Sequence, residues 1–402
     1  MGDGSDPWDP GTPVESNNYN WDGDPTLERS DQPTSGSDQL TAVDLFCGCG
    51  GFSVGFSAAG FEPVLGTDIH VPSIQTFRAN HPTASVIIGD MREVSDRMIL
   101  DGVEDQSVDL LAAGVPCQGF SRNNRKRTDE DERNYLFREF IRVARLLEPT
   151  VVLLENVSGL KSAANGRFRE EIAAAIESLG YTVDSCTLNA ANYGVPQDRE
   201  RVFFLGVSEG LDLRWPGPSH GPGTGRRHVT VWEAIGDLPP IKAKERATEY
   251  DREPFTDYQR SMRNGSEKLF NHRAPRHPSQ TVEKIASTQP GEPIYERFKQ
   301  RIRLHPDATS PTQVAGGIRP QYQLGHPKIP RGLTVRERAR IQSFPDVYEI
   351  HGGVTQARVQ TGNAVPPLLA QAIGREIRAI TQGEPRTEEA LSATGSQLGI
   401  FD

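Results

Sequence analysis

Two reactive side chains in this sequence stand directly after apolar runs. Cys117 lies in Gly114-Val115-Pro116-Cys117-Gln118-Gly119-Phe120-Ser121, which follows the apolar residues 108–113. Glu155 follows a second apolar run at residues 151–154. If both runs are buried strands of one open α/β sheet, their carboxyl ends lie at the edge where such sheets bind ligands. A thiolate beside a carboxylic acid can carry out nucleophilic catalysis with general-acid assistance.

The surroundings of these two groups decide between a reactive and an inert role. An isolated cysteine is more often a small buried hydrophobic residue. The run before Glu155 is so apolar that its carboxyl group should be partly desolvated, which raises a carboxyl pKa and favours the proton-donating form. His70 and His81 lie beside other strand ends, so no histidine is placed to form a dyad with Cys117. That arrangement argues against a cysteine protease.

A second group of polar residues follows the first strands of the chain. Asp44-Leu45-Phe46-Cys47-Gly48-Cys49-Gly50-Gly51-Phe52 has the pattern of a strand, a glycine-rich turn and a helix. Glycines let the backbone approach a ligand closely. Asp68 and Asp90 end the next two strands, where a carboxylate can bind ribose hydroxyls or an adenine amino group. With Asp44, acidic residues stand at three successive strand ends that converge on one crevice. Each aspartate alone could be a turn residue, but together they favour a nucleoside-containing cofactor. No Gly-Lys-Ser/Thr follows, which argues against a P-loop.

A third pattern, Gln197-Asp198-Arg199-Glu200-Arg201, runs into a predicted strand. Alternate residues of a strand share a face, so Gln197, Arg199 and Arg201 are expected to point the same way. Two arginines and a glutamine suit an anionic or base-like ligand. An ordinary charged edge strand is the alternative.

The charge of the chain is unevenly distributed. The net charge is -10, but residues 211–330 hold 19 Lys plus Arg against 13 Asp plus Glu. Such a segment is typical of a phosphate-binding surface, and equally of a solvated face. The four cysteines include no Cys-x-x-Cys pair, which indicates neither a zinc site nor a disulfide framework, and we expect a reduced, cytoplasmic protein. No apolar run of about eighteen residues or secretory leader occurs, so we expect no membrane association.

Strands and helices alternate along the first half of the chain. Because the strands are continuous apolar runs, this order predicts an α/β fold with a doubly wound, mostly parallel sheet. After Ser208 the periodicity weakens, and Pro and Gly cluster at 214–225. A helix is expected from Thr334, with Glu337 completing a capping box. We expect a second, smaller and irregular domain after Ser208.

In order and content, these motifs resemble the DNA (cytosine-5)-methyltransferases of bacterial and archaeal type. The resemblance runs from about residue 41 to 381. The matching segments are Asp44 to Phe52, Asp68, Asp90, Pro116 to Gln118, Glu155 to Val157, Gln197 to Arg201, Arg336-Glu337, Gln342 to Asp346 and Gly362 to Pro366. Six or more motifs in the same linear order make the match specific.

The resemblance implies an activity and a set of residue roles. A methyl group passes from S-adenosylmethionine to C5 of a cytosine that is flipped out of a specific duplex DNA sequence. Cys117 attacks C6, Glu155 protonates or hydrogen-bonds N3, and Arg201 contacts the base oxygen. Catalytic roles fall to Cys117, Glu155, Arg199 and Arg201. Cofactor contacts are expected from Phe46, Gly48, Cys49, Gly51, Asp68, Ile69, Asp90, Met91, Pro116, Asn363 and Val365. Substrate contacts are expected from Gln118, Ser121, Asn156 and Gln197, and no metal site is expected.

The resemblance also implies a domain organisation, with a Rossmann-like S-adenosylmethionine-dependent methyltransferase fold at its centre. Residues 41–207 and 360–381 form the catalytic, cofactor-binding domain. Residues 208–359 form a smaller, irregular target-recognition domain and hinge. Residues 1–40 and 382–402 are expected to be disordered tails, the first of them acidic.

Two other activities remain open from the sequence. The substrate could be a transfer RNA cytosine, or the chain could be a DNA-binding relative without catalysis. The long basic segment before Arg336 favours double-stranded DNA, and the intact set of Cys117, Glu155 and Arg201 favours an enzyme. We expect a monomer, and a restriction endonuclease acting on the same site is a candidate partner.

Overall fold

The computed structural model describes residues 19–32, 39–104, 106–116, 136–157, 167–315 and 324–384. The strands in these ranges are β1 Thr26–Glu28, β2 Leu40–Leu45, β3 Phe61–Asp68, β4 Ser85–Ile88, β5 Leu110–Gly114, β6 Val151–Val157, β7 Thr182–Asn189, β8 Gln197–Asp198, β9 Glu200–Val207, β10 Ile302–Arg303, β11 Ser310–Pro311 and β12 Leu324–Gly325. The helices are α1 Gly51–Ala59, α2 Val71–Asn80, α3 Asp96–Val103, α4 Phe137–Leu147, α5 Arg167–Glu177, α6 Val231–Ile235, α7 Asp257–Arg263, α8 Ser279–Ser287, α9 Val335–Ile341, α10 Val354–Asn363 and α11 Pro367–Thr381.

The main sheet confirms the predicted fold class. Its eight strands lie in the order β1-β4-β3-β2-β5-β6-β9-β7. The pairings from β4 through β6 are parallel, whereas β9 pairs antiparallel with both β6 and β7. The buried central strands are apolar because helices cover both faces of the sheet.

Two apolar layers hold the helices on the sheet. One layer packs α3, α4 and α5 on one face, and the other packs α1 and α11 on the opposite face. The helix α11 comes from the end of the chain and lies directly against α1. A Cβ added at Gly55 of α1 would lie 2.4 Å from Cβ of Ala370, so no larger residue fits this crossing.

The expectation of an unstructured segment over residues 1–40 is wrong for residues 26–28. These residues form β1, which pairs antiparallel with β4, so that Thr26 lies opposite Ile88 and Glu28 opposite Val86. Leu27 packs against the apolar core, and this burial compensates for the ordering of a short edge strand. Residues 1–18 and 33–38 lie outside the described residues.

The region after Ser208 consists of short helices and two-residue strands. Its own apolar core gathers Val231, Leu238, Leu304 and Leu333, among others. The predicted capping box of α9 is confirmed, because Thr334 accepts from the backbone of Glu337 and the Glu337 side chain accepts from the backbone of Thr334. No helix in the described part of the chain is long and apolar enough to cross a membrane.

Candidate active site

The carboxyl ends of β5 and β6 place Gly114 beside Glu155, as the sequence pattern indicates. The two residues are register partners in the parallel pair. A Cβ added at Gly114 would lie 3.7 Å from Glu155 Oε2 and 3.9 Å from the Phe46 carbonyl oxygen. Gly114 therefore lies between the acidic side chain and the glycine-rich turn. The sequence analysis did not single out this position.

The Asn156 side chain holds the start of the loop that follows β5. The Asn156 side chain donates to the Val115 carbonyl at 3.4 Å and accepts from the Val157 backbone at 2.8 Å. This buried amide positions the backbone immediately before Pro116. Cys117, Gln118 and Ser121 lie outside the described residues.

Glu155 and Arg201 form a buried ion pair at this edge of the sheet. Arg201 Nε lies 2.8 Å from Glu155 Oε1, and the Glu155 residue is only 8% exposed. Burial raises the pKa of Glu155, and the opposing attraction of Arg201 and Arg199 does not cancel that effect. The raised pKa agrees with the expected behaviour of a carboxylic acid that must hold a proton.

Arg199 and Gln197 point to a different set of partners. The terminal nitrogens of Arg199 donate to the carbonyl oxygens of Gln313, Gly362 and Asn363 at 3.0, 3.1 and 3.2 Å. Gln197 donates to the Gln342 side chain at 2.5 Å and accepts from the Gln313 backbone at 2.9 Å. These contacts join distant segments to the sheet. They agree with the supporting role that the resemblance implies for both residues, and direct contact of either residue with the substrate stays a prediction.

The glycine-rich turn after β2 is shaped by backbone conformation. Phe46, Gly48 and Gly50 have φ values of 54, 56 and 80°, in the left-handed region that glycine adopts without strain. A Cβ added at Gly48 would meet no atom of the described residues within 4 Å, so on the described part of the chain this side of the turn is open. A Cβ at Gly51 would lie 2.2 Å from the Val365 carbonyl oxygen. The turn is therefore open on one side and closely packed on the other.

The Asp68 carboxylate fixes this turn to the end of β3. Its Oδ2 accepts from the Gly48 backbone and its Oδ1 from the His70 backbone, both at 2.8 Å. Each carboxylate oxygen can accept a further hydrogen bond. The side chain is half-buried, so its remaining lone pairs can serve a ligand in the crevice.

The sheet from β2 onward lies within a match to known proteins. The sequence model for C-5 cytosine-specific DNA methylases matches residues 40–379. Over 357 residues the chain is 37% identical to the Type II methyltransferase M1.HphI of Haemophilus parahaemolyticus, a match that covers 86% of this chain and 88% of that protein. The chain belongs to the C-5 cytosine-specific DNA methylase family. It is a DNA (cytosine-5)-methyltransferase.

Other relatives agree with this assignment to the methylase family. The Type II methyltransferase M.DdeI of Desulfomicrobium norvegicum is 36% identical over 374 residues, with 84% of this chain and 88% of that protein covered. A crystal structure provisionally assigned as a DNA modification methyltransferase from an E. coli prophage has a TM-score of 0.73 and 27% identity. That likeness covers 85% of this chain and 99% of the other.

The remaining methylase positions expected to contact a cofactor differ in how accessible they are. Asp90 is half-buried and paired with Arg92 at 2.5 Å, and hydrogen bonds from Arg92 lower the pKa of this carboxyl. The Met91 and Val365 side chains are buried, so they can offer a ligand little more than their backbone. Asn363 is exposed at the end of α10. Pro116, Phe46 and Ile69 are each half-buried at the sheet edge.

The two cysteines of the turn are structural in this methylase. Cys47 and Cys49 are buried, and burial raises the pKa of both thiols, that of Cys49 to about 12. The carbonyl of Cys49 accepts from the Tyr348 hydroxyl at 2.5 Å. A buried thiol with a raised pKa is a poor nucleophile. The turn cysteines therefore do not compete with Cys117 for a nucleophilic role.

Asp44 was assigned no cofactor contact from the sequence, although it is one of the three acidic strand ends expected to converge on one crevice. Asp44 is buried beneath the turn, its Oδ2 accepts from Ser53 Oγ at 2.8 Å, and its Oδ1 has no partner among the described residues. Burial raises the pKa of Asp44 to about 7. Its position at the end of a buried strand, before three glycines, was the available indication.

Proposed function

We propose that this methyltransferase transfers a methyl group from S-adenosylmethionine to C5 of cytosine in a specific duplex DNA sequence. The proposed reaction passes through a covalent bond between Cys117 and C6 of a flipped-out base. The buried Glu155–Arg201 pair, next to the backbone that leads to Cys117, is the main structural support. Glu155 can donate a proton to N3 of a pyrimidine, and the Arg201 guanidinium beside it can bind the neighbouring carbonyl oxygen.

The chain's own groups account for the steps of this proposal. The Cys117 thiolate adds to C6 while Glu155 donates a proton or hydrogen bond to N3, so that electron density accumulates at C5. S-adenosylmethionine supplies an electrophilic methyl group that C5 takes up. Loss of the C5 proton to solvent expels the Cys117 sulfur as thiolate, and the aromatic ring is restored as N3 returns its proton to Glu155; S-adenosylhomocysteine is the leaving group of the methyl transfer. The base must leave the helix first, because its C5 and C6 are inaccessible in the stack.

The residues around the glycine-rich turn fit such a cofactor. The open side of Gly48 leaves room for a ligand against the backbone. The buried Asp44 Oδ1, one residue before the end of β2, receives no hydrogen bond from the residues that the structure describes. Asp68 would hold ribose hydroxyls and Asp90 an adenine amino group. We assign the cofactor to this crevice on these features together.

The region after Ser208 is the proposed DNA-recognition surface. Within its basic segment, the Arg301 guanidinium lies over the Phe298 ring at 4.3 Å, and the Lys284 ammonium lies over the Tyr295 ring at 4.6 Å. Basic side chains can bind phosphates, and aromatic rings can stack on exposed bases. Because the named relatives are Type II methyltransferases, we propose a restriction endonuclease of the same specificity as a functional partner.

A transfer assay with isotopically labelled S-adenosylmethionine tests the proposal. We expect label in duplex DNA that contains the target sequence, none in transfer RNA, and none in either with Cys117→Ala. Cys186→Ala, on β7, is the matched control and should retain activity. DNA containing 5-fluorocytosine should form a denaturation-resistant complex with the unmodified chain, because the C5 substituent cannot leave. Labelling by Cys117→Ala at the normal rate would contradict the proposed nucleophile, and bisulfite sequencing would identify the target sequence.

A further inference from the structure

The segment Tyr19–Trp21 runs along the residues that follow β3. The Trp21 backbone donates to the Ile69 carbonyl at 2.8 Å, and the Val71 backbone donates to the Tyr19 carbonyl at 3.1 Å. Asn20 and His70 form an antiparallel bridge between these two hydrogen bonds. The segment is therefore fixed immediately beyond Asp68, the residue proposed to hold the ribose.

The same segment then reaches the end of β4. A Cβ added at Gly89 would lie 2.8 Å from Cβ of Pro25, so the chain passes directly over the residue before Asp90. It continues into β1, which pairs with β4. One short stretch thus borders both strand ends that are proposed to hold the nucleoside.

Two large aromatic side chains on this stretch are partly exposed. Tyr19 is 41% exposed and Trp21 is 37% exposed. The Tyr19 ring meets the His70 ring edge-on, with centroids 6.5 Å apart, and Trp21 Nε1 donates to the Asp24 carbonyl at 2.8 Å. These contacts hold both rings in place. Because the segment that carries them borders the crevice, these partly exposed rings are suited to covering the face of a purine.

We infer that Tyr19 and Trp21 form the outer wall of the cofactor pocket and contact the adenosine portion of the bound cofactor. The inference rests on the proposed function for the identity of that cofactor. The matched part of the family begins at residue 40, so this wall is a feature that the family match does not contain. The wall adds a binding surface at the adenosine end of the crevice, away from Glu155 and Arg201.

Calorimetric titration with S-adenosylhomocysteine tests this inference without relying on turnover. For Tyr19→Ala/Trp21→Ala we expect the Kd to rise by roughly 10-fold, the size typical for loss of base–aromatic stacking. Adenosine alone should show a similar ratio, because the wall contacts the nucleoside. The affinity for duplex DNA should stay unchanged, since the segment lies outside the proposed recognition region.

Two controls make the result specific. Deletion of residues 1–18 keeps both aromatic residues and should leave the Kd unchanged, and so should Trp215→Ala, whose indole contacts Asp184 on the far edge strand. Thermal unfolding of the ligand-free double variant should match the unmodified chain. An unchanged Kd for the double variant would overturn the inference alone. If the unmodified chain bound no S-adenosylhomocysteine, the proposed cofactor would fall, and the inference with it.

Discussion

Glu155 is subject to two opposing influences whose balance sets its chemistry. Burial raises the pKa of its carboxyl group, whereas the guanidinium 2.8 Å away lowers it. The effect of burial is the larger one, so the Glu155 carboxyl group keeps its proton to a higher pH than that of an exposed glutamate. Because the proposed reaction uses the protonated form, methyl transfer should decline as pH rises through this pKa.

Removing the Arg201 guanidinium should move the decline in the rate of methyl transfer to higher pH. In Arg201→Met the pKa of Glu155 loses its largest lowering influence, so the high-pH limb of the single-turnover rate should move to higher pH. The rate itself should fall by about 100-fold, because the charge that opposes the base oxygen is lost. Rates measured over a pH series check this prediction. Arg201→Lys keeps a charge and should shift the limb less, and a limb that moved to lower pH in Arg201→Met would contradict the assignment.

A larger residue at Gly114 should lower activity, because it takes up space at the site, and should have little effect on stability. In Gly114→Ala the added methyl would make ordinary van der Waals contact with Glu155 Oε2 and the Phe46 carbonyl, so stability should hardly change. The methyl group would nevertheless occupy the space between Glu155 and the glycine-rich turn, and we expect kcat to fall by about 10-fold or more. Thermal unfolding and steady-state kinetics measure the two effects. Gly353→Ala, whose Cβ would meet open space, should leave kcat unchanged.

At the scale of elements, α9 depends on charges that are buried. Arg340 of this helix binds Asp346 through Nε and Nη2 at 2.6 and 2.5 Å, and it also binds Asp237 at 3.1 Å. The carboxylates raise the pKa of Arg340 despite its burial. Such a network stabilises the native state only while each buried charge keeps its partners.

Asp346→Asn should therefore be strongly destabilising. It leaves Arg340 with less compensating charge and turns one of the two carboxylate oxygens into a donor, so the hydrogen bonds from Arg340 and Tyr250 can no longer all be accepted, and we expect a loss of about 3 kcal/mol in the free energy of unfolding. Chemical denaturation provides the measurement. Asp257→Asn is the control, because its pair with Arg260 is exposed and exposed ion pairs contribute little to stability. Equal effects of the two substitutions would show that the buried network contributes little.

The sequence predicted those elements whose patterns are local. The strands β5 and β6 begin with continuous apolar runs, and the α9 capping box has its residues three positions apart. The short strand β1 was missed, because it lies in a polar segment and depends on Leu27 meeting a distant core. The residues next to Gln197 and Arg199 in the sequence do not indicate which contacts these two side chains make. Their partner Gln313 is more than a hundred residues away, a distance that no strand alternation can indicate.

At the scale of the whole molecule, the end of the chain completes the site at its beginning. Arg199 holds the carbonyls of Gly362 and Asn363, and the Tyr348 hydroxyl binds the Cys49 carbonyl. β11 pairs with β8, which directly precedes β9, so backbone hydrogen bonds also join the region after Ser208 to the segment that enters the main sheet. A substitution that destabilises either region should therefore also disturb the residues that line the crevice.

Three buried histidines distributed over the molecule should make it labile to acid. Burial lowers the pKa of His81, His277 and His326 to about 4 in each case. The last two also act as acceptors: His277 Nε2 receives the Gly332 backbone N–H at 3.0 Å, and His326 Nδ1 receives that of Ile329 at 2.9 Å. Protonation would remove both hydrogen bonds. Each ring must therefore stay neutral in the folded chain.

The sign of the pH dependence follows from these lowered values. Between about pH 6.5 and pH 4 the unfolded chain binds protons at these rings that the folded chain does not, so their contribution to stability is present above pH 6.5 and is lost as pH falls. His277→Gln should be less stable than the unmodified chain at pH 7.5, but its unfolding free energy should depend less steeply on pH in this window. Urea unfolding at pH 7.5, 6 and 5 measures both quantities. Taking the difference between the two chains cancels the opposite contribution of Asp44, whose pKa is raised to about 7. Parallel pH profiles for the two chains would mean that His277 is protonated equally in the folded and unfolded states.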